Sequence, residues 1–187
     1  MTNTNYEANL DTAISYLKSD QRDSAVKTAN MALSQVPAED KRPDNYVFFK
    51  LLSLVARFAV EDGKTARAEA LVEEGLALKK MHADLMFLKS LIHSSRHQYG
   101  EMLTSLISYL IAADLPEREL CGYDFVNPMA MKEVLEKYLP LAYKNTPNHE
   151  QILLLVENTL TKLKDISSGY SLEEAFNIMA AIDRGAA

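Results

Sequence analysis

Residues Phe49 to Pro116 read FKLLSLVARFAVEDGKTARAEALVEEGLALKKMHADLMFLKSLIHSSRHQYGEMLTSLISYLIAADLP, and this stretch decides the fold. It is one helical hairpin written twice, 34 residues apart. Small residues stand at Ala56, Ala68 and Gly75. The same spacing of 34 leads to Ser90, Met102 and Tyr109, on matching faces of the next two helices. A hairpin of this size cannot bury its apolar faces alone. Stacked copies can, so a period of 34 with two helices per unit predicts an all-α solenoid of antiparallel helix pairs.

Working back towards the N-terminus, Leu10, Ala13, Ile14 and Leu17 are spaced by three and four, one face of a helix over Tyr6 to Ser19. After the polar break Ser19-Asp20-Gln21, Asp23 or Ser24 is expected to cap a second helix that buries Ala25, Ala29, Ala32 and Leu33 and stops before Pro37. Ala13, Ala25 and Ala32 lie 43 residues before Ala56, Ala68 and Gly75, which is the period plus an insertion of nine. That insertion, PAEDKRPDN at Pro37 to Asn45, is charged, holds two prolines and is expected to be an exposed loop. Asp62-Gly63-Lys64 reads as the turn of the second hairpin and His97 to Gly100 as that of the third.

Ala13, Tyr16, Ala25, Ala32 and Pro37 fall where a tetratricopeptide repeat has its small, aromatic, small, small and proline positions. The chain therefore resembles that family, with units at about 6–37, 46–80 and 83–116. The third unit departs from the pattern, because Met102 and Tyr109 are large and Pro116 falls two residues late. The resemblance implies a right-handed superhelix of roughly eight or nine helices whose concave face holds a protein or peptide.

Beyond Pro116 the repeat fades. Met129 to Lys144 keeps a helical pattern, but Pro140 sits inside it and is expected to kink or split the helix near Lys137. Asn148 to Lys164 reads as the second arm of a degenerate hairpin over 128–164, broken at Ser167-Ser168-Gly169. Ser171 opens SLEE, a capping-box pattern in which Ser171 and Glu174 serve each other's amides, before a helix at 171–184 expected to cap the solenoid. All of this is expected to form a single domain.

The net charge of −6 and pI of about 5.3 disfavour nucleic-acid phosphates as a partner. The most apolar run, Tyr46 to Val60, is broken by Lys50 and Arg57, so no membrane insertion is expected. Met1 to Asn9 lacks the basic start and apolar run of a secretory signal, and the single Cys121 fits a reducing, cytoplasmic setting.

No catalytic set stands out, so the chain is not expected to be an enzyme or to carry a cofactor or metal. His93 and His97 share a helical spacing but Ser94 replaces the carboxylate of a zinc helix, and His82 and His149 are remote. Cys121 has Arg118 near it in sequence and no histidine. The acid pairs Glu73-Glu74, Glu117/Glu119 and Glu173-Glu174 read as solvated charge, and there is no glycine-rich phosphate loop.

Carried over by position, the resemblance places Glu7, Leu10, Ile14 and Lys18 in the groove from the first unit. From the second come Lys50, Ser53, Arg57 and Glu61, and from the third Asp84, Phe87, Leu91 and Ser94. Lys50 and Arg57 share one helix face and form a cationic stripe or pair with Glu61 and Asp84. Where heat-shock co-chaperones of this family clamp a terminal carboxylate, this chain has Leu10, Ile14, Leu54, Asp84 and Leu88, so that ligand is not expected. The leading expectation is a protein-interaction scaffold. The second is a self-assembling homo-oligomer or accessory segment of a larger machine, similar in fold to secretion chaperones and the helical extensions of bacterial glycosyltransferases.

Overall fold

A computed structural model of the protein describes residues 5–115, 126–163 and 170–185, and these are helical with no strand among them. In order the helices are α1 Asn5–Lys18, α2 Arg22–Ser34, α3 Tyr46–Glu61, α4 Thr65–Leu78, α5 Ala83–Ser95 and α6 Tyr99–Asp114. Then follow α7 Ala130–Glu133, a π turn at Val134–Tyr138, α8 Leu139–Asn145, α9 His149–Leu163 and α10 Tyr170–Asp183. The contacts fall into two compact units, Met1–Lys80 and Met81–Ala187.

In the first unit α1 pairs with α2 and α3 with α4, and α2 also packs on α3. Ala13, Ala25, Ala32, Ala56, Ala68 and Gly75 are all buried. Side chains this small let helix axes approach closely without leaving voids. The inserted segment is tied down at several points. It holds a short 3-10 turn at Ala38–Asp40 and exposes Arg42, Pro43 and Asp44. Tyr6 Oη donates to Asp40 Oδ2 at 2.9 Å, and Lys41 meets Glu74 at 2.9 Å. Asn45 then caps α3, its Oδ1 accepting from the amides of Val47 and Phe48 at 3.1 Å each.

Three hairpin turns share one construction. Asp20, Gly63 and His97 have φ of 58°, 69° and 57°, the left-handed region. The residue after each returns its amide five positions, Gln21 to Tyr16, Lys64 to Ala59 and Gln98 to His93, at 2.8 to 3.0 Å. Each left-handed residue also bonds back three positions, which makes all three Schellman caps. They sit 43 and 34 residues apart, the spacing of the small residues. Glycine adopts this conformation freely, whereas Asp20 and His97 take it at some cost. The expected side-chain cap of α2 by Asp23 or Ser24 is not made. Its N-cap is Gln21, with no side-chain bond, because the Schellman turn sets the helix start.

In the second unit α5 pairs with α6, and α10 lies against α6, α8 and α9. Met102 and Tyr109 are fully buried, as their small counterparts are. Rings fill the extra space: Phe87 stands 5.9 Å from Tyr109 and 6.1 Å from Tyr138. Pro140 does not split the helix near Lys137 as expected: residues 130–145 stay helical without a break. The proline has no amide to give Glu136, and the helix widens just before it, with Leu139 bonding back to Val134. The N-terminal end of α10 differs from the capping-box expectation. Both oxygens of Asp114, at the end of α6, accept its amides, Ser171 to Oδ1 and Leu172 to Oδ2, each at 3.0 Å. The Ser171 amide is thus directed to Asp114 instead of to Glu174, which is exposed. Leu115 is the last residue described before Val126, so Pro116, Arg118, Glu117, Glu119, Cys121 and Gly122 lie outside the described residues, as do Ser167, Ser168 and Gly169.

Candidate interaction surface

The first helices of the hairpins carry the candidate residues, and packing divides them. Leu10 and Ser53 in the first unit are enclosed, as are Asp84 and Phe87 in the second. Ile14, Lys50, Arg57 and Leu91 are half-buried, while Glu7, Lys18 and Glu61 are exposed. A partner that leaves the helices in place reaches the second set and not the first. Of the positions matched to the carboxylate clamp, Leu10, Leu54, Asp84 and Leu88 are all buried.

In the first unit the basic residues are already engaged. Lys50 Nζ stands 4.1 Å above the Tyr46 ring. Arg57 Nε donates to Glu61 Oε1 at 2.7 Å, one helical turn on. Glu61 and Asp62 also receive Arg22, at 3.3 and 2.6 Å, which ties α2 to the end of α3. The Lys64 ammonium, and then the Arg22 guanidinium, hold the Asp62 carboxyl below the usual carboxylate range. Asp62 in turn raises Arg22. The Arg57–Glu61 pair matches one of the pairings expected from the sequence.

Beside this network, α2, α3 and α4 surround a dimple of about 40 Å³ floored by Val55, Phe58 and Ala59 and rimmed by Asn30, Lys64 and Arg67. Arg67 closes one side by donating to Asn30 Oδ1. The space suits a water molecule, well short of the several hundred Å³ of a metabolite pocket.

Ser53 is fully buried on α3 and its Oγ has no hydrogen-bond partner. An unsatisfied buried hydroxyl costs about 1–3 kcal/mol. Ser53→Ala is therefore expected to raise stability by about 1 kcal/mol in a urea titration, at the low end of that range. A drop in the midpoint would show that the hydroxyl is satisfied in solution.

In the second unit Asp84 is an internal anchor, with Oδ1 accepting the Val126 amide at 3.3 Å. His82 is buried and caps α5, its Nδ1 accepting from the Leu85 amide at 3.4 Å. His93 meets Gln98 at 3.0 Å and His97 meets the Tyr99 hydroxyl at 3.2 Å, so each ring serves its own turn. Among the described residues no three His, Cys, Asp or Glu side chains gather as a metal site. Among them, too, no helix is long and apolar enough to cross a membrane. α9 exposes Leu154 and Leu155, at 59% and 61%. Sequence reasoning missed the polar clasp at the far end of this unit, where Tyr143, His149 and Asp183 meet. No family model matches the chain, no curated protein matches it, and no solved structure matches it.

Proposed function

We propose that the chain is a protein-interaction scaffold of tetratricopeptide-like hairpins, stacked as a right-handed superhelix, that binds a protein or peptide along their first helices. The observation that carries this reading is the recurrence of one Schellman turn at Asp20, Gly63 and His97 with the spacing of the buried small residues. Repeats of that kind build extended surfaces, and a site for a small substrate is a different thing, concave and enclosed. The residues that meet the partner are those with surface to offer: Ile14, Lys50 and Arg57 in the first unit and Leu91 in the second. Lys50 and Arg57 lie two turns apart on α3 and favour an acidic stretch of the partner. The single thiol supports a reducing, cytoplasmic setting.

The test is affinity capture with the whole chain and with Lys50→Glu/Arg57→Glu, both checked for helicity by circular dichroism. Reversing two charges is expected to weaken the specific partner by about tenfold or more while folding persists. An unchanged set of partners would remove this surface from consideration. The exposed Leu154 and Leu155 favour a second reading, self-assembly or service as an accessory segment of a larger machine. Light scattering separates the two, since a scaffold of this kind runs as a monomer and a self-assembling chain does not.

A further inference from the structure

α9 encloses little of itself. It packs against α10, and among its described side chains Val156 and Leu160 are buried. Leu154 and Leu155 are exposed, and so are Gln151 and Asn158. At about 100° per residue these four fall within about 100° of one another, on the side of the helix away from Val156 and Leu160. A solvent-facing helix side ordinarily carries charge. Here Gln151 to Val156 carry none, and Glu150 and Glu157 stand about 100° round from the centre of the face.

The order of the four residues selects an occupant. Gln151, Leu154, Leu155 and Asn158 are spaced three, one and three, amide–leucine–leucine–amide, so the face reads alike in both directions. A twofold contact sets a surface against itself, residue i meeting j while j meets i. An antiparallel pair of α9 helices with its axis between Leu154 and Leu155 meets that condition. Leu154 then faces Leu155 of the second copy, and Gln151 faces Asn158. Each amide side chain holds donors and an acceptor, so each serves the other. The charges agree with this pairing. The first turn of α9 is acidic, with Glu150, and the last turn is basic, with Lys162. Antiparallel pairing brings the acidic end of one copy within about one turn of the basic end of the other and opposes the two helix dipoles.

We propose that this face of α9 is a self-association site, covered by the same face of a second copy of this chain in a twofold, antiparallel helix pair. The proposal rests on the self-assembly reading of Leu154 and Leu155 and adds to it the partner, the direction and the register. α9 has 15 residues and is about 22 Å long. A seam of that length falls well below the roughly 800 Å² a side of a stable interface, so the pair is weak. The dimer is expected at about 100 µM and the monomer at about 1 µM. At the dilution of a capture experiment the first-helix surface is therefore read on the monomer.

Sedimentation equilibrium of the full chain across that range is the test, with circular dichroism as the check on folding. The apparent mass of the wild type is expected to approach twice the monomer value at the upper end. Leu154→Glu/Leu155→Glu and Leu154→Lys/Leu155→Lys are each expected to stay monomeric with helicity intact, because both positions are exposed. An equimolar mixture of the two is expected to pair again. Direction is read by cysteine cross-linking under a mild oxidant in a Cys121→Ser background. Gln151→Cys mixed with Asn158→Cys is expected to cross-link about tenfold faster than either alone, because position 151 in two antiparallel copies is offset by about 10 Å along the helix, beyond disulfide reach. A dimer that persists in both charged variants, or that cross-links Gln151→Cys to itself as fast as to Asn158→Cys, overturns the α9 pair and leaves self-assembly standing through another surface. A wild type that stays monomeric at about 100 µM overturns the pair and the self-assembly reading together, the face then being covered by another part of this chain or by a different protein.

Discussion

Tyr109→Ala is expected to destabilise the second unit by about 3–5 kcal/mol, read as a lower midpoint in urea denaturation. The repeat pattern suggests the opposite. The same place holds Ala32 in the first hairpin and Gly75 in the second, so alanine would restore the small residue of the pattern. The structure decides otherwise, because Tyr109 is fully buried and its ring stands 5.9 Å from Phe87. Removing it leaves a cavity that two rigid helices cannot close completely. Against a typical domain stability of about 5–15 kcal/mol, such a loss is large. Tyr109→Phe keeps the ring and is expected to cost far less. If Tyr109→Ala were neutral, the third hairpin would be able to close to the spacing of the first two, and its large residues would not be what holds it.

The second large effect is expected at Asp114. Replacing it with alanine strips the acceptors from the amides of Ser171 and Leu172 at once, and both are bonds to a charged group. Bonds of that kind contribute about 1.5–3 kcal/mol each, so about 3 kcal/mol is expected for the pair after local relaxation. The loss falls on α10, whose Leu172, Ala175 and Met179 are buried. Hydrogen exchange should quicken through α10 well before it does in α5. Asp114→Asn keeps a carbonyl acceptor and is expected to fall between the two. Glu174→Ala discriminates between the two accounts of this helix start. It would matter if the SLEE motif capped the helix, and it is expected to be nearly silent because Glu174 is exposed. Equal effects from Glu174→Ala and Asp114→Ala would contradict the bonding described.

These two results also locate where reading the sequence stops. The turn at Gly63 was visible because glycine marks a left-handed residue, whereas Asp20 and His97 adopt the same conformation without that mark. Their equivalence was recoverable only from the spacing. Of the candidate surface, Ile14, Lys50, Arg57 and Leu91 keep some exposure, and Leu10, Ser53, Asp84 and Phe87 do not. Helical periodicity names the face a residue lies on. It does not say which neighbour covers that face.

By itself the sequence determined the helices, the hairpin period, the small residues at helix contacts and a disturbance of the helix just before Pro140, because each is written within a few turns of chain. The tertiary structure alone decided which polar groups are anchors. Asp114 reaches amides 57 and 58 positions away, Tyr143 reaches Asp183 across 40, and Asp84 reaches Val126 across 42. Partners so distant in the chain leave no local periodicity behind them, and only packing brings a carboxylate to the amides or hydroxyl that need it.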